Sequence, residues 1–247
     1  MGTAGGAVFP ETQQSFAARA AGVFVSPVET FADITRRPDF LPLLVLGVAG
    51  NLLLAETALA RIGMERIVRS AIEQSARASS MTPEQLEQAV SQGTKVSVAF
   101  AHLGGLLSAP VIILLLAAMG MAITSAIFGS CVDFKTAFSI ACYANLVSVL
   151  GAVMAFVMIL FGDPDHFSPR GPAPTSLGFF LDLRQTSKPL YALATSLDLF
   201  SFWLMGLLGI GFSAAIHKRA TPFSVFLCFF SLWTTLVLAR MGWSSLG

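Results

Sequence analysis

The sequence predicts an all-α polytopic membrane protein: a five-helix transmembrane bundle preceded by an interfacial amphipathic helix. Three observations predict it. Between Lys95 and Asp133 lie 37 residues, Val96 to Val132, with no Asp, Glu, Lys or Arg. About 20 apolar residues suffice to cross the hydrocarbon core, so this run has no role in a soluble domain. Hydrophobic residues make up 55% of the 247 and charged residues only 12%, against roughly 25% charged in soluble domains. The mean hydropathy is +0.74. Further apolar runs recur along the chain, and in lipid such runs must be helical, because each backbone polar group has to be satisfied within its own segment.

The expected organisation is a flexible tail over 1–25, a membrane domain over 26–240 and a C-terminal tail over 241–247. Met1 to Gln14 has no positive n-region, so no signal peptide is expected. Gly6 stands where a myristoylation signal needs Ser or Thr. Ser26-Pro27-Val28-Glu29 reads as a capping box with Pro at the first helical position. Val28, Phe31 and Ile34 then share one face of a helix that Pro38 ends, and Arg36-Arg37 at its end suits the membrane plane. Spans follow at about 40–60, 98–128, 138–161, 197–216 and 222–239. Gly104, Gly105 and Pro110 are potential kinks in the second.

The polar segment 61–95 is expected to hold two helices. One carries the stripe Ile67, Val68, Ala71 and Ile72. The other opens on the capping box Thr82-Pro83-Glu84-Gln85 and stops at Gly93. Residues 162–189, with five prolines, read as loop, inside which Leu177 to Leu181 is apolar enough to rest on the interface. The Lys/Arg clusters Arg36-Arg37, Lys135 and His217-Lys218-Arg219 fall on one side of a five-span layout. That predicts a cytoplasmic N-terminus, although segment 61–95 carries five basic residues on the opposite side.

Little in the chain carries chemistry. The net charge of +1 favours no nucleic acid. No phosphate loop or hydrolase motif is present, so no enzyme activity, cofactor or small-molecule substrate is expected. Asp163-x-Asp165-His166 has one histidine in a Pro-interrupted loop, so no metal site is expected. The cysteines, Cys131, Cys142 and Cys228, form no C-x-x-C pair and read as packing residues. Glu56, His102, Asn145 and Asp198 are the candidate intramembrane polar residues. Asp198 also suits the positive N-terminal end of its helix. Asn51 and Asn145 are expected to bond between helices. Small residues recur every fourth position at Ala101, Gly105, Ala109 and at Ala118, Ala122, Ala126, Ser130. Such stripes bring helices together, within this bundle or against another protein.

Ser26-Pro27-Val28-Glu29-Thr30-Phe31 with Ile34 and Arg37-Pro38, together with Asp198-Leu199-Phe200-Ser201-Phe202-Trp203 and Gly209-Ile210-Gly211, resemble the Yip family, specifically its bacterial members. The resemblance covers about 26–240. It implies integral membrane proteins that form complexes with related proteins and, in eukaryotes, with Rab GTPases. Some bacterial relatives are associated with ABC-type export machinery. The short N-terminal tail and the polar segment 61–95 depart from the eukaryotic pattern. The expected function is therefore a non-enzymatic scaffold or accessory subunit in a bacterial inner membrane. It would bind lipids and other integral membrane proteins, or itself, with Phe31, Arg36, Arg37, Phe200 and Trp203 as partner contacts. The alternatives are a small-solute channel or transporter, lined by the four polar residues, and a lipid-organising, curvature-sensing protein.

Overall fold

A computed structural model describes residues 15–73, 81–161, 175–181, 186–217 and 219–246. Among these the secondary structure is helical, apart from one isolated bridge between Ser176 and Asp198.

The chain orders earlier than its sequence suggests. Residues 16–25, read as tail, form helix α1, Phe16–Val25, capped by Ser15, whose Oγ accepts from Ala18 N at 3.2 Å. Helix α2, Pro27–Arg36, follows after one residue. Ser26 is not the side-chain cap expected of it, because it also ends α1. Its N–H donates to Gly22 O at 2.8 Å, and its φ of −139° with ψ of 66° turns the hydroxyl away from the first turn of α2. Gly22 lets the two helices meet: a Cβ there would lie 2.3 Å from Thr30 Oγ1. The result is an antiparallel hairpin, not a lone amphipathic helix.

Helix α3 is Leu41–Arg61. Gly63, at φ +84°, makes a left-handed turn that suits glycine into α4, Met64–Glu73. Helix α5, Pro83–Ala126, opens on the expected capping box. Gln85 N donates to Thr82 Oγ1 at 3.3 Å, and Thr82 N to Gln85 Oε1 at 3.0 Å. Gly93 does not end it. A Cβ at Gly93 would lie 2.9 Å from Val68 Cγ1, so the glycine gives α4 room to dock. The helix continues for 44 residues through Pro110, about 66 Å at ~1.5 Å per residue.

Helices α6, Phe134–Ala144, and α7, Leu146–Phe161, form one path interrupted at Asn145. A 3₁₀ turn, Leu177–Phe180, packs on α8, Lys188–Ser196, where Gly178 meets Thr195. Helix α9, Leu199–Ala215, and α10, Pro222–Leu246, complete the fold.

Four helices are long and apolar enough to span: Leu41–Arg61, Pro83–Ala126, Phe134–Phe161 and Pro222–Ser244. The fifth expected span, α9, is a shorter apolar helix of 17 residues, at the lower limit of what crosses a bilayer. Paired contacts give the traverse order. Asn51 and Glu56 of α3 meet Ser108 and His102 of α5, so these helices are antiparallel. Gly151 faces Phe200 and Ile140 faces Gly211, so α9 runs against α6–α7. Phe202 meets Trp233 while Gly209 meets Phe226, so α10 reverses again.

The core lies around α6 and α9, where Tyr143, Ile140, Leu207, Leu208 and Phe212 are fully buried with Phe31 of α2 and Phe229 of α10. Phe100, Val111, Leu115, Val153, Leu236 and Leu238 stay exposed, an outward apolar surface that suits lipid rather than water.

Candidate functional site

The four intramembrane candidates do not converge. Glu56 and His102 meet at the crossing of α3 and α5, with Glu56 Oε1 2.8 Å from His102 Nε2. On the other side of the ring, His102 Nδ1 lies 2.7 Å from Val98 O. A carbonyl only accepts, so Nδ1 carries a proton. Between Nε2 and Glu56 one further proton must reside, giving either imidazolium with carboxylate or imidazole with carboxylic acid. The side chains are about half exposed, 47% for His102 and 56% for Glu56. This pair could not be read from sequence, since its members are 46 positions apart.

Asp198 sits elsewhere as the N-cap of α9. Its Oδ2 accepts from Ser201 N at 3.0 Å and Ser201 Oγ at 3.1 Å, and Thr175 donates to its Oδ1. These bonds satisfy the carboxylate and the helix terminus together. Asn145 was expected to bond between helices. Instead its Oδ1 accepts from Ser148 Oγ at 3.0 Å within its own turn, because α6 ends there and frees local groups. Asn51 does bond across helices, donating to Ser108 Oγ at 2.9 Å. Asp163, Asp165 and His166 lie outside the described residues.

The expected partner contacts separate in the same way. Phe31 is fully buried, its ring against Gly211. Phe31 and Ile34 of the apolar face turn inward because α9 and α6 cover them, whereas Val28 of the same face stays exposed. Phe200 is half-buried against Gly151. Trp203 is 38% exposed and meets Phe24 edge-on at 5.6 Å. Arg36 and Arg37 are exposed.

Sequence reading missed the most heavily bonded polar group. Arg19 of α1 is 3% exposed. Its Nε donates to Asp33 Oδ2 at 2.8 Å, and its Nη1 to Asp39 Oδ1 at 2.8 Å and Arg37 O at 3.0 Å. Tyr143 of α6 donates to the same Asp39 oxygen at 3.0 Å. This cluster ties the N-terminal hairpin to the start of α3 and to the core.

A second grouping lies at the far end of α3, where Arg61 reaches Leu160 O at the end of α7. Beyond it, α4 packs along the first turns of α5. Arg69 forks onto Glu87 at 2.7 and 2.8 Å and reaches Glu65 at 3.4 Å. Arg69 holds the Glu87 carboxyl below its ordinary pKa. The two small-residue stripes differ. Gly105 and Ala109 are buried beside α3, whereas Ala118, Ala122 and Ala126 are exposed. Of the cysteines, Cys142 is buried, Cys228 intermediate and Cys131 exposed, so Cys131 is not the packing residue expected.

Nothing in this arrangement assembles the nucleophile, base and oxyanion donors of a covalent mechanism among the described residues. What it presents is an apolar bundle with a braced amino-terminal hairpin at one end and a helical arm at the other. The model of one protein family, described as the Yip1 domain, matches residues 21–241. No curated protein and no solved structure matches the chain.

Proposed function

Because this chain belongs to the Yip1 domain family, a membrane protein family, we propose that it is a non-enzymatic integral membrane scaffold or accessory subunit. It binds other membrane proteins, an ABC-type exporter being the partner class that the resemblance implies. The observation that carries this reading is the length of α5. Its 44 residues, about 66 Å, are roughly twice the ~30 Å hydrocarbon thickness. The first turns therefore extend past the end of α3, stiffened by α4 and the Arg69–Glu87 fork. A braced helical arm of this kind suits docking. The exposed Ala118, Ala122 and Ala126 offer a close-approach face on the same helix.

The bacterial inner membrane is the location that the resemblance implies, and the basic residues bear on its sidedness, with the N-terminus cytoplasmic. Arg219 donates to Gly129 O at 2.6 Å, which joins the α5–α6 and α9–α10 connections at the end where α3 begins. Arg36, Arg37, Lys135 and Arg219 flank the short connections at this end and favour the cytoplasmic side, although segment 61–95 at the other end carries five basic residues.

The experiment is affinity purification of the tagged chain from native membranes in mild detergent, read by mass spectrometry. A stoichiometric membrane partner is expected, and Ala122→Trp should reduce its recovery while leaving the purified chain folded. Recovery of the chain alone and monomeric would sink the scaffold reading.

A further inference from the structure

Helix α9 does not start at a membrane face. Phe202, near its start, meets Trp233, the middle residue of the apolar span Pro222–Ser244. Phe200 lies against Gly151, ten positions before the end of α7 at Phe161, about 15 Å along that helix. Two neighbouring spans thus put the start of α9 near half depth in a hydrocarbon layer ~30 Å thick. Its other end fits the same frame, since Gly209 already meets Pro222 and Phe226 at the start of α10. From Leu199 to Gly209 the helix advances about 15 Å. It therefore leaves the arm-side half of the bilayer to other elements.

The segment Thr175–Leu181 reaches that depth. Ser176 bridges Asp198, Leu177 N donates to Leu197 O at 3.1 Å and Leu199 N to Thr175 O at 3.4 Å. Thr175 also donates to Asp198 Oδ1. These bonds occupy backbone groups that the break between α8 and α9 sets free, as irregular backbone at membrane depth requires. Within the turn, Phe179 N donates to Ser176 O and Leu181 N to Gly178 O, each at 3.2 Å. Ser176 and Gly178 are buried, and Gly178 leaves no room for a Cβ beside Thr195 of α8. The opposite side is apolar and uncovered: Phe180 is 77% exposed, Leu177 56% and Phe179 46%. Residues 175–181 carry no charge. Val153 on α7 and Leu236 on α10, each within one turn of the residues that fix the depth, are also exposed. At this level the outer surface is apolar on three separate elements, which is the surface that acyl chains cover.

We propose that Thr175–Leu181 is a re-entrant turn, seated in the leaflet on the side of the arm, with lipid acyl chains covering Leu177, Phe179 and Phe180. This is deeper than the interfacial position its composition suggests. Asp198 then closes a helix break inside the bilayer instead of capping a helix at its surface. The test is nitroxide labelling of the full chain in phosphatidylcholine vesicles, after substitution of Cys131, Cys142 and Cys228. Phe180→Cys carries the label. Val153→Cys marks lipid, Phe161→Cys the end of α7, and Gln88→Cys water. Power saturation compares collisions with oxygen, which concentrates among acyl chains, and with nickel ethylenediaminediacetate, which stays in water. At Phe180 the ratio of oxygen to nickel access is expected to match that at Val153, to exceed that at Phe161, and to be the reverse of that at Gln88. Leu177→Cys repeats the measurement on the same face should the Phe180 variant not fold. A ratio like that of Gln88 overturns the proposal and makes the turn an aqueous loop. A ratio like that of Phe161 overturns it in favour of an interfacial turn. Access to neither reagent also overturns it, because protein, from a second copy or a partner, then covers the face.

Discussion

At Arg19 a single guanidinium serves two carboxylates and a backbone carbonyl. Removing it leaves Asp33 and Asp39 without their cation. Breaking a buried pair costs about 3–5 kcal/mol. Here Asp33 and Asp39 are 24% and 40% exposed, and water relieves part of that. Arg19→Met should destabilise by about 2–3 kcal/mol, seen as a fall of several degrees in the unfolding temperature in detergent. Tyr143→Phe removes one neutral donor to a charged acceptor that keeps Arg19, and should cost about 1 kcal/mol. Equal losses for the two variants would contradict the cluster. The charges in this cluster were invisible in the sequence because Arg19 lies 14 and 20 residues from its partners, across a hairpin that neither end announces. Asp198 was legible, because a cap bonds within its own turn. Phe31 was half legible: periodicity names the apolar face of a helix but not what covers it.

Helix boundaries follow the same division between local and distant causes. The Thr82–Gln85 capping box is closed by residues three apart, and its sequence signature was sufficient. Gly93 carried the signature of a stop but answers to Val68 on another helix, so no local pattern could separate the two. The same docking makes a prediction at pH. Glu87 has its folded-state pKa lowered, first by the hydrogen bond from Arg69. A carboxylate whose folded pKa lies below its unfolded value stabilises the fold above the unfolded value. That contribution is lost as pH falls through the folded one. The α4–α5 contact is therefore complete at neutral pH and loosens below about 4.5, the ordinary glutamate value. Spin labels at Glu73 and Gln88 should report a single short distance at pH 7 and a progressively broader one as the pH is titrated down from 4.5 through the lowered folded-state value. Arg69→Gln should broaden it already at pH 7, and an unchanged distance in that variant would remove the fork as the cause.

The traverse order makes the largest-scale claim. Helix α3 starts at the N-terminal hairpin and α5 runs against it, so the arm built from α4 and the start of α5 emerges on the opposite side from Arg36 and Arg37. The apolar composition announced the membrane and the helical class, and the uncharged run Val96 to Val132 marked α5 as longer than a span requires. It could not show that the surplus joins the polar segment as one helix, since both halves are helical on either reading and only continuity differs. Sidedness distinguishes an arm that projects from one folded back under the bundle. After substitution of Cys131, Cys142 and Cys228, single cysteines at Arg37 and Gln88 should react with a membrane-impermeant maleimide from opposite faces of the bilayer. With a cytoplasmic N-terminus, Gln88→Cys labels in intact cells, and Arg37→Cys labels only after the membrane is opened. The reverse pattern would keep the traverse order and invert the orientation drawn from the basic clusters. Labelling of both from one face would refute the order itself, because an odd number of crossings between them is what places Glu56, His102 and Arg61 at the arm's end of α3.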